Sequence, residues 1–178
     1  VQRLIDQKVE AIVGPMTSMV AMVTVPMVNQ AQIVMMSPTV STQDLSNIDD
    51  YFFRVISSTA EYAHKSADYQ ISQHGISRVA VAYDMRNESY SESWLKAYQK
   101  AFSAQGGEVI LAEPYYSGDD VNFAELAERL LKVEPDAVLV IANSLDTAML
   151  AQQVRKRDQR VHIATSEWAA TERLSELG

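Results

Sequence analysis

Two adjacent hydroxyl residues, Thr17 and Ser18, stand between an apolar run and a helical pattern in the stretch "VGPMTSMVAM". Gly14 permits a tight turn there, and Pro15 fixes the direction in which the chain leaves it. A hydroxyl at a helix start caps free backbone N–H groups, and the same groups attract an anion such as a carboxylate or a phosphate. The stretch by itself therefore leaves two interpretations open, a capped helix and an anion site.

Four further apolar runs also end in polar segments. In chain order these segments carry Thr39 and Ser41, Tyr90, Asn143, and Glu167 next to Trp168. Small hydroxyls near a helix start suit a carboxylate, whereas a lone carboxylate facing them suits an ammonium group. The combined set is complementary to a zwitterion, and it therefore indicates an α-amino acid as a candidate ligand.

The elements that must position these side chains follow from the apolar periodicity. Strands are predicted at 11–13, 33–36, 79–83, 108–112, 137–141 and 162–165. Helices are predicted at 18–30, 60–74, 90–105, 123–132 and 146–156. This alternation predicts an α/β fold with a doubly wound parallel sheet, in which ligands bind beyond the carboxyl ends of the strands. Several strands are almost continuously apolar, as is typical of parallel strands covered on both faces.

Apolar residues at helical spacing are predicted to form the core. Leu95, Tyr98 and Phe102 fall on one face of the helix at 90–105, as the helical period requires. The six methionines between Met16 and Met36 are assigned to the core on the same grounds.

Composition excludes several classes of function. The 178 residues carry a formal net charge of −8, which disfavours nucleic acid as a partner. The chain has no cysteine, so disulfides and thiolate chemistry are excluded. Three scattered histidines predict no metal site, and no apolar run is long enough to insert into a membrane. No cofactor is predicted. The chain starts in mid-pattern on "VQRLIDQKVEAIVG", so we expect it to be a piece of a longer protein.

Six stretches, in this order and spacing, resemble the type I periplasmic binding proteins, specifically the leucine/isoleucine/valine-binding branch that serves amino-acid ABC transporters. They are "IVGPMTS", "IVMMSPTVSTQDL", "FFRVISS", "RVAVAYDMRNESYSESW", "EPDAVLVIANSLDTAMLAQQVR" and "IATSEWAAT". The resemblance covers essentially the whole chain. It implies two α/β lobes that close on a ligand, with residues 1–50 in lobe one, 51–57 in a crossover and 58–178 in lobe two.

The resemblance also implies roles for residues of lobe one. Ser18 matches the serine whose hydroxyl holds the ligand carboxylate. Thr39 matches a position whose backbone carbonyl binds the ligand ammonium, and Ser41 matches a threonine that contacts the ligand backbone.

In lobe two, Tyr90 matches a tyrosine that closes over the ligand, and Glu167 matches a glutamate that pairs with its ammonium group. Asn143 stands where the leucine-binding members carry a tyrosine. This departure argues against a strictly branched-chain aliphatic ligand.

The function implied is a periplasmic or extracellular solute-binding protein whose partners are a small carboxylate ligand and an ABC transporter permease. An extracellular sensing domain of a receptor, chemotaxis or kinase protein stays open as an alternative. An α/β enzyme using Asp84 and Asp146 ranks last, because the sequence has no GxGxxG, GxxxxGK[ST] or GxSxG motif of the kinds that serve such chemistry.

Overall fold

Parallel strands form two sheets in the computed structural model, which describes residues 1–118 and 120–177. The first sheet has the order β1-β2-β3, with β1 at Ala11–Val13, β2 at Val34–Ser37 and β3 at Phe52–Arg54. The second has the order β5-β4-β6-β7, with β4 at Arg78–Asp84, β5 at Glu108–Tyr115, β6 at Ala137–Ile141 and β7 at His162–Thr165.

Within the described residues, five helices connect successive strands, one precedes β1 and one follows β7, whereas β2 leads to β3 through the 3-10 turn Gln43–Leu45. The helices are α1 at Gln2–Asp6, α2 at Ser18–Ala31, α3 at Thr59–His74, α4 at Glu88–Ser103, α5 at Phe123–Lys132, α6 at Ser144–Arg157 and α7 at Glu172–Leu177. The predicted α/β class is confirmed, and the predicted strand and helix bounds differ from these by at most three residues. None of the described helices is both long and apolar enough to cross a bilayer.

The second sheet is covered on both faces, as its apolar strands predict. One face of β4 and β6 packs against α3 and α4, where Val81 and Leu139 meet Ala67 and Phe102. The other face packs against α5 and α6. All five residues of β6 are buried, because consecutive apolar residues on a central strand point alternately to two covered faces.

The first sheet is covered on one face only within the described residues. Met35 and Phe52 point towards α2 and join a small core with Val28. On the opposite face the registered neighbours Val13 and Met36 are exposed. The expectation that the strands are covered on both faces therefore holds for the second sheet and is wrong for the described part of the first.

The assignment of the methionines to the core is also wrong for most of them. Met35 alone among the six is buried, and Met16 is 67% exposed. Helix α2 packs on the sheet through small and β-branched residues such as Ala21 and Val25. Met22 therefore lies on its exposed side, and Met19 lies beside Ser89 at the start of α4.

Candidate functional site

A cavity of about 410 Å³ lies where the starts of α2 and α4 meet the segment that follows β7. It is lined by Met16, Thr17, Ser18, Thr39, Ser41, Ile56, Asn87, Tyr90, Glu167, Trp168 and Thr171. Five of the six residues predicted for the site, all except Asn143, are therefore brought together.

The turn after β1 is tied to the segment after β2 and forms one wall of this cavity. Gly14 has a φ of 131°, which a residue with a side chain rarely adopts. Ser37 donates its hydroxyl hydrogen to the Pro15 carbonyl at 2.8 Å, and Thr39 donates to the Met16 carbonyl at 2.7 Å. These bonds fix the start of α2 relative to residues 37–39.

The two hydroxyls at the start of α2 are used differently. Thr17 is the N-cap, and its hydroxyl accepts the Val20 N–H over a long 3.4 Å. Ser18 is buried, and its hydroxyl accepts the Thr42 N–H at 3.3 Å. Because the Ser18 oxygen accepts that bond, its hydroxyl hydrogen stays available to donate to a ligand.

Thr39 and Ser41 line the same wall. The backbone carbonyl of Thr39 accepts no hydrogen bond within the described part of the chain, which leaves it available to a donor on a ligand. The backbone carbonyl of Ser41 accepts the Thr59 N–H at 2.7 Å. Ser41 therefore faces the cavity from a segment that α3 holds in place.

Glu167 supplies the acidic group on the opposite wall. Its Oε2 accepts the indole N–H of Trp94 at 2.8 Å, whereas its Oε1 is buried without a hydrogen-bond partner among the described residues. Burial raises the pKa of Glu167, and the bond from Trp94 opposes that rise. One carboxylate oxygen is therefore anchored by Trp94, and hydrogen bonding with Tyr90 also lowers the pKa of this carboxyl.

Tyr90 lies beside this carboxylate. Its ring packs edge to face against Trp168 at a centroid distance of 5.3 Å, and its buried hydroxyl has no hydrogen-bond partner within the described residues. Burial, followed by the nearby negative charge of Glu167, raises the pKa of Tyr90 well above its usual value. The Ser166 hydroxyl is likewise buried and unpartnered among the described residues. Hydrogen bonding of the Tyr90 hydroxyl with Ser166 and with Glu167 nevertheless contributes to the pKa shifts of Tyr90 and Glu167. These three buried groups therefore lie close enough to pair with one another and form a polar cluster beside the cavity.

Asn143 lies elsewhere. Its Oδ1 caps α6 by accepting the Asp146 N–H at 3.0 Å. It lines a different cavity, together with Arg86 and Asp146.

The two aspartates considered for acid chemistry hold loops together. The Asp84 carboxylate accepts the N–H groups of Arg86 and Ser117 at 2.9 and 3.1 Å. Asp146 accepts the Tyr115 hydroxyl at 3.1 Å. Within the described residues, no group of three or more histidine and acidic side chains could hold a metal ion.

Two residues that make side-chain hydrogen bonds at the site are among those that were not predicted from the sequence. Asn87 lines the cavity and accepts the Met19 N–H at 3.0 Å, and Trp94 holds Glu167. The stretch "DMRNESY" identified a polar segment at the end of β4 but did not single out its asparagine. Trp94 follows Tyr90 by one helical turn, and this spacing is the signal that indicates a shared face.

Comparison with known proteins identifies the family and agrees with the fold. The sequence model described as periplasmic binding protein matches residues 1–177. No relative was found among curated proteins.

Solved structures of the same fold include a leucine-binding protein, LivK, from Thermotoga maritima, with 21% identity and a TM-score of 0.86 over 97% of this chain and 48% of that one. Another is a solute-binding protein of an ABC transporter from Rhodopseudomonas palustris in complex with p-hydroxybenzoic acid, with 20% identity and a TM-score of 0.83 over 96% of this chain and 47% of that one. LivJ from Streptococcus pneumoniae in complex with isoleucine shows 20% identity and a TM-score of 0.75 over 90% of this chain and 44% of that one.

The chain thus spans about half the length of these solved structures. The family match extends over nearly the whole chain, and the parallel sheets agree with it. Together they identify the family of the chain. The chain belongs to the periplasmic binding protein family and has the α/β fold of the type I members.

Proposed function

We propose that the protein is a solute-binding protein that captures an amino acid or a related small carboxylate for an ABC transporter permease, outside the cytoplasm. The observation that carries the proposal is one cavity that is lined by the acidic Glu167 on one side and by Ser18 at the start of α2 on the other. We further propose two lobes, residues 1–50 and 58–178, joined through 51–57.

The charges of the two walls favour a zwitterion. A ligand ammonium would neutralise the half-buried carboxylate of Glu167, whose charged form is disfavoured by burial, and would donate a hydrogen bond to it. The ligand carboxylate would then meet the Ser18 hydroxyl and the start of α2. Because these groups come from different sheets, a ligand that contacts both favours the arrangement that brings the sheets together.

A hydroxylated aromatic carboxylate is the second candidate. The edge-to-face pair of Tyr90 and Trp168 gives the cavity an aromatic surface, and a phenolic O–H is able to donate to Glu167 in place of an ammonium. A related structure is a complex with p-hydroxybenzoic acid. This candidate would contact the same two polar parts of the cavity, Glu167 and the start of α2.

Binding without turnover is part of the proposal. A sensing domain would capture its ligand in the same way, so that alternative shares the site. Mass spectrometry of the ligand recovered after incubation is expected to return it unchanged, and a chemically altered ligand would contradict the proposal.

Titration calorimetry on the intact protein tests which polar ends are recognised. L-leucine, leucinamide and 4-methylpentanoate form a matched series, since the second lacks the carboxylate and the third lacks the ammonium. A zwitterion site is expected to bind L-leucine and to lose about tenfold or more in affinity when either group is absent. Binding of 4-hydroxybenzoate, but not L-leucine, would identify the aromatic candidate. Absence of binding by all four compounds would exclude leucine and 4-hydroxybenzoate as ligands, and absence of binding by the remaining amino acids in the same assay would contradict the proposed ligand class.

A further inference from the structure

Asn87 joins the two walls of the cavity through protein atoms alone. Its side chain accepts the backbone N–H of Met19, in the first turn of α2, at 3.0 Å. The two residues are 68 positions apart and belong to the segments after β4 and after β1. Because the donor is an N–H group, the amide atom facing Met19 must be the oxygen.

The position of Asn87 is itself fixed. It ends the short 3-10 turn Met85–Asn87, which begins at the buried Asp84. The Asp84 carboxylate accepts the Arg86 N–H, and the Ser91 hydroxyl donates to the Asn87 carbonyl at 3.1 Å. The side-chain amide is therefore held in place before any ligand arrives.

The orientation of the amide leaves its nitrogen free. The Asn87 Nδ2 group makes no hydrogen bond to the described residues, although Asn87 is buried and lines the cavity. Two N–H donors on one wall thus face the same cavity as the Ser18 hydroxyl. A negatively charged group is the natural acceptor for such a set of donors.

We propose that Asn87 is a specificity-determining residue whose Oδ1 holds the start of α2 while its Nδ2 donates to the anionic group of the bound solute. This inference rests on the proposed function. It also implies that the Met19 N–H is already used, so the ligand carboxylate does not receive a donor from Met19.

Two substitutions distinguish the acceptor role of the Asn87 Oδ1 from the donor role of its Nδ2. Asn87→Asp keeps an acceptor for the Met19 N–H but replaces the donor with a negative charge. Asn87→Ala removes both. Asn122→Asp is the matched control, because Asn122 is an exposed helix cap on α5 whose Oδ1 accepts the Glu125 N–H, and it undergoes the same charge change away from the cavity.

Calorimetry on the intact protein with L-leucine and 4-hydroxybenzoate measures how much affinity depends on the Asn87 Nδ2 donor. Asn87→Asp is expected to weaken binding of whichever compound binds by at least about tenfold, with Asn122→Asp unchanged. Leucinamide, which has no carboxylate, is expected to show no such penalty. Wild-type affinity for the carboxylate ligand in Asn87→Asp would overturn the inference.

Amide hydrogen exchange of Met19, measured by NMR on ligand-free protein, tests the bridge independently. Exchange is expected to accelerate in Asn87→Ala and to stay slow in Asn87→Asp. Equal exchange in wild type and Asn87→Ala would overturn the bridge. If neither compound binds the wild type, the proposed function and the donor role fail together, and this exchange measurement still decides the bridge.

Discussion

The indole N–H of Trp94 donates to Oε2 of Glu167 at 2.8 Å, and this bond anchors one oxygen of a carboxylate that lines the cavity. Trp94 is itself held in a stack with Tyr98 and Phe102 along α4, with centroid spacings of 5.5 and 5.0 Å. A carboxylate with one anchored oxygen is held in a fixed orientation beside the cavity before a ligand binds.

Trp94→Phe is expected to weaken binding of an ammonium ligand by about tenfold while leaving the fold intact. The ring keeps most of its packing, but Glu167 loses the donor that opposes its raised pKa, so its charged form becomes less stable. Calorimetry of L-leucine binding at several pH values checks this. Tyr98→Phe is the matched control, because it removes a hydroxyl of the same stack that bonds Gln70 and not Glu167. An equal loss in both variants would contradict the role given to Trp94.

Affinity for an ammonium ligand is expected to fall as pH is lowered through the raised pKa of Glu167. Protonation removes the charge that pairs with the ammonium group, so binding favours the ionised carboxylate and releases a proton when Glu167 starts protonated. Calorimetry in two buffers of different ionisation enthalpy measures that release. Affinity that rises with acidity would contradict the assignment.

Glu167→Gln is expected to abolish amino-acid binding yet stabilise the ligand-free protein or leave its stability unchanged. The folded state raises the Glu167 pKa, so folding is favoured by the neutral form, and this stabilisation is lost as pH rises through the folded-state pKa. The glutamine is neutral at every pH. Thermal unfolding at neutral pH checks stability, and calorimetry is expected to show a loss of more than about 100-fold. Marked destabilisation of Glu167→Gln would argue for a structural role of the charge.

Ser18→Ala and Thr17→Ala are expected to separate binding from capping. Thr17 accepts an N–H group of its own helix, so its loss is expected to cost about 1 kcal/mol of stability with little change in affinity. Ser18 retains a hydroxyl hydrogen that lines the cavity, and its loss is expected to weaken carboxylate binding by about tenfold, together with a loss of stability from the unpaired Thr42 N–H. Chemical denaturation and calorimetry on both variants check this. The reverse pattern would contradict the roles assigned here.

Gly107→Ala is expected to destabilise the fold by about 1–3 kcal/mol. A Cβ atom at this position would overlap the buried ring of Phe102, which is the last member of the stack along α4. Chemical denaturation measures the change. The double variant Phe102→Leu with Gly107→Ala is expected to show less than the sum of the two single effects, because the smaller side chain removes the overlap. Additive effects would contradict this explanation.

The sequence predicted the strands and helices well because most of them follow from the pattern of apolar residues within a short segment of the chain. The five consecutive apolar residues of β6 require a strand covered on two sides, and the structure covers both. Met16 and Met19 show the limit of this reasoning. Their apolar character says that they favour burial, but their exposure depends on which face of α2 meets the sheet, and that is a tertiary property.

The site residues that follow from strand positions were predicted, whereas those that depend on distant contacts were not. Ser18, Tyr90 and Glu167 stand directly beyond strands, where parallel sheets place ligands, and they line one cavity. Asn87 was missed because its importance lies in a bond to Met19, 68 positions away. Asn143 occupies an equivalent strand end, yet its side chain is turned to cap α6, a choice that spacing alone does not reveal.

The position of Trp94 has an optical consequence. The chain contains two tryptophans; Trp94 bonds to Glu167, and Trp168 is the adjacent residue and lines the cavity. All the indole emission of these 178 residues therefore comes from two side chains close to Glu167. One is hydrogen-bonded to its carboxylate, and the other is its neighbour in the sequence. Neutralising that carboxylate with a ligand changes the electric field at both rings, so the intrinsic fluorescence of this segment reports on its occupancy without any added label.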